Sequence, residues 1–186
     1  MAYPDSAYLA PPDFSSRFRA SWDAAQHRFL KVERRQSYNQ AGDESFEAFR
    51  RGDLRTASRL LREELETQRE MYSSAAARGV DLVRLRLVEE PLSDYLRYYE
   101  IPSYFVSQEL GERIFFASPD PMQDELPDCI VFDASVMFVN TYDGLDRLAG
   151  AIEVTSAQEI ARHTELAEHL LADAQSLSEF AKAHNL

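Results

Sequence analysis

The sequence is poor in cysteine, glycine and long apolar runs, and each shortage excludes a class of structure. A single cysteine in 186 residues excludes an internal disulfide framework and a zinc cage built on cysteine. Six glycines supply no glycine-rich loop of the kind that cradles phosphates. No apolar run approaches the roughly 20 residues that span a bilayer, and the first residues lack the basic and apolar regions of a secretory signal. We therefore expect a cytoplasmic protein without a membrane segment.

The familiar catalytic and metal-binding patterns are missing as well. There is no Gly-x-Ser-x-Gly elbow, although sequence alone leaves open a catalytic triad assembled from distant residues. The four histidines do not form the i,i+4 pair of a helical zinc site: they are His27, His163, His169 and His184. Cys129 lies in the apolar run Cys-Ile-Val-Phe, which predicts a buried, unreactive thiol. We expect no catalytic residue, no metal and no cofactor.

The net charge of −12 is distributed unevenly along the chain. Residues 118–186 carry thirteen acids against three bases, whereas residues 14–62 carry eleven bases against six acids. The overall acidity argues against general binding to nucleic acid, which needs clustered basic side chains. A contact through the basic helices of residues 14–62 is an alternative, but pairing within the chain or solvation explains their arginines better.

The N-terminal 79 residues predict an arm followed by a helical layer. Residues 1–13 contain three prolines and no periodicity, which predicts an extended, disordered arm. Four rings then recur at helical spacing, and they predict one amphipathic helix: Phe14, Phe18, Trp22 and Phe29. If the chain does not cover this stripe, the stripe is an interface with another protein or a second copy.

Two further helices complete the helical region 14–79. A short one is predicted around residues 44–51, with Asp43 as its cap. A long one, 54–78, is predicted to begin after Asp53 and to end at Gly79. Residues 80–183 then predict an α/β core with a C-terminal helix, and the whole chain is expected to be one folded unit.

The stretch from Val80 to Tyr99 is the centre of this core, because a strand runs directly into a helix there. Alternation predicts a strand with Val83, Leu85 and Leu87 on one face, and Pro91 is placed where a helix would begin. Four more strands are predicted at 113–116, 128–132, 136–141 and 147–155, with a proline-rich loop over 117–127 and a long final helix after Ser156. The predicted fold is a single α/β domain with a mixed sheet of about five strands flanked by helices.

The candidate contact residues lie around this junction and the last hairpin. Arg84 and Arg86 share one face of the strand and would hold a phosphate or carboxylate ligand, or pair with acids of the chain itself. The plentiful nearby acids favour the structural interpretation. The remaining candidates for ligand or partner contact are Asp94, Tyr95, Asn140 and Asp143.

Two motifs carry a family resemblance. The segment R-L-R-L-V-E-E-P-L-S-D-Y-L-R-Y over residues 84–98, together with V-N-T-Y-D-G-L-D-R over 139–147, resembles an uncharacterised actinobacterial family over about residues 36–175. Thr141 and Leu145-Asp146 depart from the family pattern. Its members look like companions of helix-turn-helix regulators, so the resemblance implies a regulatory or partner-binding role and supplies no catalytic residue.

The order of elements also resembles one half of a phospholipase D-like fold. In that fold a His-x-Lys pair precedes the aspartate that would here be Asp133. The matching positions hold Leu126 and Asp128, so neither a phosphohistidine nor its lysine can form. The resemblance therefore implies a copy without catalytic residues.

Together these observations predict a non-enzymatic interaction or sensor protein of a bacterial regulatory system. Its expected partner is another protein, either a helix-turn-helix regulator or a second copy of the chain. The first alternative is an enzyme or binder that takes a small anionic or phosphorylated ligand at Arg84 and Arg86. The second is nucleic-acid contact through residues 14–62.

Overall fold

The computed structural model describes residues 3–119 and 126–186, and within these ranges eight strands form one mixed sheet. The strands are β1 (Ser6–Leu9), β2 (Arg28–Glu33), β3 (Asp81–Leu87), β4 (Arg113–Ala117), β5 (Cys129–Phe132), β6 (Val136–Tyr142), β7 (Leu148–Val154) and β8 (Gln175–Ser176). They lie in the order β1-β7-β6-β5-β2-β3-β4-β8. Strand β3 is parallel to both β2 and β4, and the other pairings are antiparallel.

Helices flank both faces of this sheet. They are α1 (Pro11–Ala24), α2 (Glu44–Arg50), α3 (Leu54–Glu66), α4 (Arg69–Ala77), α5 (Ile101–Glu109), α6 (Ala157–Ala172) and α7 (Leu177–His184). A π-helical turn, Leu96–Glu100, leads directly into α5. The α/β class is confirmed, but the prediction of about five strands was wrong because β1, β2 and β8 were missed.

The two faces of the sheet differ in chemistry, as the alternation along β3 predicts. Leu85 and Leu87 lie on an apolar face, in one hydrophobic cluster with Ile160 of α6. Arg84 and Arg86 project from the opposite face, which is covered by α1, by the π-helical turn and by helices α3 to α5. Charged side chains therefore lie in the interior, between the sheet and this helical layer.

The missed strand β2 is the largest correction to the predicted fold. Helix α1 ends at Ala24, and Phe29 belongs to β2 rather than to the helical stripe. The spacing of the rings misled the prediction because Phe29 belongs to the same group of rings although it lies on a strand. Its ring packs against that of Trp22, with centroids 5.1 Å apart. Strand β2 is interior and pairs with β3 and β5.

The N-terminal arm was also predicted wrongly for residues 6–9. Instead of being disordered, this segment pairs with β7 along its full length, from Ser6 opposite Val154 to Leu9 opposite Ala151. Pairing with an existing strand supplies the order that proline content and missing periodicity could not indicate. Of the predicted loop 117–127, residues 120–125 lie outside the described part of the chain.

Helix boundaries differ from the predicted ones at three places. The long helix after Asp53 divides into α3 and α4 at Thr67 and Gln68. Contrary to the prediction, Pro91 is not the first residue of a helix, since the helical region begins after Ser93. The final helix ends at Ala172, and the chain then forms β8 and α7.

Other local predictions are confirmed. The side chains of Asp43 and Asp53 accept hydrogen bonds from the backbone amides of Phe46 and Thr56, as N-caps do. Cys129 is 1% exposed, and burial together with the nearby charge of Asp128 raises the pKa of its thiol to about 12.

The docking of β1 depends on Gly150, which lies in β7 with a φ of +141°. A Cβ at this position would collide with the carbonyl oxygen of Leu9 and would lie 3.0 Å from the hydroxyl of Tyr8. That hydroxyl donates a 2.6 Å hydrogen bond to the carbonyl of Ala149. Only glycine combines this backbone conformation with so close an approach of the neighbouring strand.

We predict that Gly150→Ala displaces β1 and lowers the free energy of unfolding by about 1–3 kcal/mol. Urea denaturation measures the loss, and hydrogen exchange at the amides of residues 6–9 should accelerate selectively. Gly144→Ala is the control, because a Cβ there would have no neighbouring atom within 4 Å and the φ of Gly144 is not positive. Equal stability of the two variants would contradict this account of β1.

Candidate functional site

A half-open cleft of about 740 Å³ lies between the polar face of the sheet and the helices that cover it. Aromatic and apolar side chains line one part of it, among them Phe14, Phe18, Trp22, Phe29, Leu65, Met71 and Tyr72. Polar and charged side chains line the other part, among them Lys31, Glu33, Tyr38, Arg84, Glu100, Ser103, Tyr104, Asn140 and Tyr142. The cleft thus combines a ring-rich wall with a charged floor.

Arg84 is the centre of the charged floor. Its Nε and Nη2 atoms each donate to a different oxygen of Glu112, at 2.9 Å, and Nη1 donates to Glu33 at 3.1 and 3.2 Å. The guanidinium also lies over the ring of Tyr104, 4.9 Å from its centroid. Since the side chain of Glu112 is fully buried and that of Glu33 is 5% exposed, these ion pairs are shielded from water.

Glu33 receives contacts from two other groups besides Arg84. The ammonium of Lys31 lies 2.6 Å from its Oε1, and the hydroxyl of Tyr104 donates to its Oε2 at 2.7 Å. Burial raises the pKa of Glu33, but the charges of Arg84 and Lys31 outweigh burial and hold that pKa well below its usual range. Glu33 is therefore a permanent negative charge in the floor.

Arg86 is fully buried beside this group and pairs with Glu100 of the π-helical turn. Its Nη2 atom lies 3.1 Å from Oε2 of Glu100 and donates to the carbonyl of Arg35, while Nη1 donates to the hydroxyl of Tyr38 at 3.2 Å. When Glu100 is ionised, three cations thus face three anions: Lys31, Arg84 and Arg86 against Glu33, Glu100 and Glu112.

Glu100 differs from Glu33 in its protonation. Burial raises its pKa to about 7, and the charge of Arg86 offsets only part of that effect. Its Oε2 atom has no hydrogen-bond partner, because the contact with Arg86 lacks hydrogen-bond geometry. A carboxyl group that titrates near neutral pH in a cleft is a feature typical of functional sites.

A second polar group, around Asp128, borders the cleft. The hydroxyls of Tyr142 and Tyr38 donate to its carboxylate at 2.8 and 3.2 Å. The backbone amides of Arg34 and Arg35 donate to it as well. Asp128 stands where the phospholipase D-like resemblance would place a lysine, and here it organises tyrosines and backbone.

The structure brings together some of the sequence-predicted contact residues and separates others. Arg84 and Asn140 line the cleft, while Arg86 lies beneath it, behind Glu100. Tyr95 is buried and accepts a 2.8 Å hydrogen bond from Gln40. Asp94 is exposed, and Asp143 caps the turn before β7 through the amides of residues 145 and 147.

The aromatic stripe predicted as a possible interface is covered by the chain itself. Phe14 and Trp22 are 8% and 2% exposed, and Phe18 contacts Phe132 with ring centroids 5.5 Å apart. Phe29, on β2, is 4% exposed. The condition under which this stripe would be an interface, exposure in the monomer, is therefore not met.

Most basic side chains of residues 14–62 lie in ion pairs within the chain. Arg17, Arg28 and Arg62 pair with acids distant in sequence, namely Glu153, Glu168 and Glu109. Others pair locally, as Arg59 does with Glu63. Because these carboxylates neutralise the basic side chains, fewer positive charges of the segment are available to bind phosphates.

Sequence reasoning missed three of the most important side chains, Glu33, Glu100 and Glu112. They come from three separate elements, and their convergence on the two arginines depends on the sheet order. The signal that could have revealed Glu33 is the alternation in L-K-V-E, residues 30–33, which places Lys31 and Glu33 on one face of a strand and Leu30 and Val32 on the other.

Two absences hold within the described residues. No group of three or more His, Cys, Asp or Glu side chains there is arranged to hold a metal ion. Nor does any helix in those ranges combine the length and apolarity needed to cross a membrane.

We predict that Arg84→Ala lowers the free energy of unfolding by about 3–5 kcal/mol, because it leaves Glu112 and Glu33 buried without their main counter-charge. Urea denaturation at pH 7.5 measures this loss. Arg59→Ala removes an exposed pair on α3 and should cost less than about 0.5 kcal/mol. Unchanged stability of Arg84→Ala would show that the arginine is free for a ligand rather than structural.

We also predict that Glu100→Gln changes the pH dependence of stability. Because the pKa of Glu100 rises from about 4.5 in the unfolded chain to about 7 in the fold, its protonated form stabilises the fold fully below pH 4.5. That contribution is lost as the pH rises through 7. Glutamine keeps a neutral group there, so the variant should be more stable than the native protein at pH 8, by about 1–3 kcal/mol, and equal to it at pH 4.5.

Urea denaturation between pH 4.5 and 8 provides the measurement. Glu109→Gln is the matched control on α5, because Glu109 is exposed and the guanidinium of Arg62 lowers its pKa. A difference between Glu100→Gln and the native protein that does not change with pH would contradict the assignment of this titration to Glu100.

Comparison with solved structures finds similarity in fold at very low sequence identity. Nuc from Salmonella typhimurium, a phospholipase D family member, is 10% identical, with 92% of this chain and 96% of that chain covered and a TM-score of 0.50. NucT from Helicobacter pylori is 8% identical, with 92% and 98% covered and a TM-score of 0.48. The first of these likenesses shows a shared fold and nothing of function.

TrmBL2, an archaeal chromatin protein described with a novel mode of DNA binding, is 12% identical with a TM-score of 0.48. The alignment covers 92% of this chain but 54% of that protein, so the chain spans about half of its length. A comparison with curated proteins finds no match. The sequence pattern of one family, however, matches residues 16–182, nearly the whole chain. The chain therefore belongs to the family described as a domain of unknown function, DUF6879.

Proposed function

We propose that this protein is a non-enzymatic sensor that binds a small ligand in the cleft and passes the bound state to a protein partner in a bacterial regulatory system. The observation that carries the proposal is the cleft itself, with Glu100 in its polar lining and the tryptophan and phenylalanines of α1 in its apolar lining. Its volume of about 740 Å³ lies within the range of small-molecule sites.

The polar floor supports binding rather than catalysis. Arg84 and Glu33 are engaged by ion pairs and hydrogen bonds, so they form a fixed surface instead of a reactive group. At the positions where the phospholipase D-like resemblance expects its histidine and lysine, Leu126 is fully buried and Asp128 accepts hydrogen bonds from two tyrosines. Tyr104 and Lys31 contact Glu33 in the cleft, but the lowered pKa of that carboxyl group makes it a weak base.

The element that carries Glu100 supports a sensing role. Single π-helical turns are rare in proteins, and those that occur often lie at functional sites. Here the turn joins the cleft to the buried cluster around Tyr95, Leu96 and Tyr99, which packs against α2 and α3. A ligand that contacts Glu100 would thus bear on the packing of the helical layer, where a partner could detect the change. The resemblance to companions of helix-turn-helix regulators supports the regulatory half of the proposal.

The anionic-ligand alternative receives less support. A phosphate at Arg84 would have to displace Glu112, which binds the guanidinium through two hydrogen bonds. Arg86 is fully buried and does not line the cleft. The donors of Arg84 are therefore engaged, and the Nε of Arg86, which makes no hydrogen bond to the described residues, is buried outside the cleft lining and cannot reach a phosphate there.

We predict that ligands from a panel of small amines, alcohols, carboxylates and nucleotides change the fluorescence of Trp22, the single tryptophan, which lines the cleft. A ligand that binds in the cleft should also raise the melting temperature. Ser103→Phe places a ring in the cleft and should abolish both effects. Ser73→Phe, on the exposed face of α4, is the matched control and should preserve them.

Two outcomes would contradict the proposal. One is binding that survives Ser103→Phe unchanged, which would locate the ligand elsewhere. The other is turnover of a phosphodiester such as bis(p-nitrophenyl) phosphate that Ser103→Phe removes and Ser73→Phe preserves, which would make the cleft an active site.

A further inference from the structure

Two described residues of the polar lining carry a buried side-chain oxygen that accepts no hydrogen bond. Among the described residues, two buried side-chain oxygens that belong to lining residues have no hydrogen-bond partner: Oε2 of Glu100 and Oδ1 of Asn140. Unsatisfied buried acceptors are costly and are normally paired with a donor, with water or with a bound molecule. A ligand that donates hydrogen bonds would supply what these groups lack.

The cations that line the same cleft are engaged. Lys31 lies 2.6 Å from Glu33, Arg84 is shared by Glu112 and Glu33, and Arg19 at the rim lies 3.3 Å from Asp23. An anionic ligand would therefore compete with carboxylates of the chain for each of these cations. At Glu100 a cationic ligand would share the carboxylate with Arg86, whose contact at 3.1 Å lacks hydrogen-bond geometry.

Glu100 is suited to hold a positive charge. The residue is 8% exposed, and its nearest counter-charge is Arg86, 3.1 Å away and outside hydrogen-bond geometry. Inside a cleft of low dielectric constant, a charge-assisted hydrogen bond to such a carboxylate is stronger than the same contact in water.

The rest of the cleft fits an apolar body attached to that charge. Three rings, those of Phe18, Trp22 and Tyr72, form a connected group. The ring centroid of Trp22 lies 6.1 Å from that of Phe18 and 5.4 Å from that of Tyr72. Trp22 and Tyr72 are 2% and 5% exposed and Phe18 is half-buried, so Phe18 would provide most of the ring surface that a ring-bearing ligand contacts.

We infer that the cleft binds a primary ammonium compound with an apolar, ring-bearing body, whose ammonium donates to Glu100 and whose body packs on the ring group of Phe18, Trp22 and Tyr72. This inference rests on the proposed function, because it names the ligand class of the same cleft. It requires no covalent step.

The charged and titratable groups that face Glu100 make its ionisation the step linked to binding. They come from the elements packed around it. These groups are Lys31 and Glu33 from β2, Tyr38 from the loop after β2, Arg84 and Arg86 from β3, Tyr95 just before the π-helical turn, Tyr99 within the turn, and Tyr104 from α5. Among these groups Glu100 has a pKa near neutrality, whereas the tyrosines have raised pKa values and Glu33 a lowered one. No histidine is among the described residues that line the cleft. Ammonium binding should therefore release a proton from Glu100 below pH 7 and tighten as the pH rises from 6 to 8.

Calorimetry on the full chain with three matched probes tests the inference. The probes are phenethylamine, 2-phenylethanol and 3-phenylpropionate, which present an ammonium, a hydroxyl and a carboxylate on the same ring. At pH 8 the amine should bind about tenfold more tightly than the alcohol, as expected for a charge-assisted hydrogen bond, and the carboxylate should bind most weakly.

Two variants locate the contact. Glu100→Gln should weaken phenethylamine binding about tenfold, leave 2-phenylethanol within about twofold, and abolish the pH dependence. Glu109→Gln, on the exposed side of α5, should change none of these. If Glu100→Gln does not fold, the pH dependence of the native protein decides, since its absence contradicts a role for Glu100.

The outcomes separate the inference from the proposed function. Tighter binding of 3-phenylpropionate, or amine binding that Glu100→Gln leaves unchanged, would overturn the inference. If only non-amine members of the wider panel bind, and Ser103→Phe blocks them, the sensor proposal stands and the ammonium inference fails. If no probe or panel member binds, both fail.

Discussion

The rest of the structure depends on the buried pairing of Arg84 with Glu112 and Glu33. A guanidinium removed from water costs several kcal/mol unless carboxylates of good geometry replace its hydration. Here both carboxylates come from distant parts of the chain, Glu33 at the end of β2 and Glu112 just before β4. The ion pairs therefore tie together three neighbouring strands, with β2 and β4 on either side of β3.

The same pairing explains why the polar face of the sheet supports a cleft instead of a closed core. The floor presents charged side chains instead of aliphatic ones to the helices above it, and the cleft lies between these two layers. Within the charge network, burial raises the pKa of Glu100 to about 7. The network thus combines a rigid part, centred on Arg84, with one group that can respond to its surroundings.

Particular residues show what the sequence could and could not reveal. Asp43 and Asp53 were recognisable as caps because capping is local and depends on a side chain and the next turn. The two faces of β3 followed from alternation for the same reason. By contrast, Phe29 continued the helical spacing of α1 although it lies in β2, since tertiary packing placed strand and helix rings together. Strand β1 was missed because its order comes from pairing with β7, near the other end of the chain.

The cleft was beyond reach of the sequence for a topological reason. Glu33, Glu100 and Glu112 carry no shared motif, and their spacing in the chain reflects the lengths of the intervening helices. Arg84 could be identified as important from its place on a central strand, but the choice between structural and ligand-binding roles required its partners. Those partners are set by the neighbours of β3 in the sheet, which local patterns do not encode.

The lengths of the two outermost strands have a consequence for how copies of this protein behave in a crowded solution. Strand β1 has four residues and β8 has two, so each margin of the sheet offers few backbone groups to an incoming chain. Long, flat margins invite strand addition and aggregation, and short ones discourage it. An acidic molecule with such margins is protected twice against self-association through its backbone, by charge repulsion and by the lack of a template.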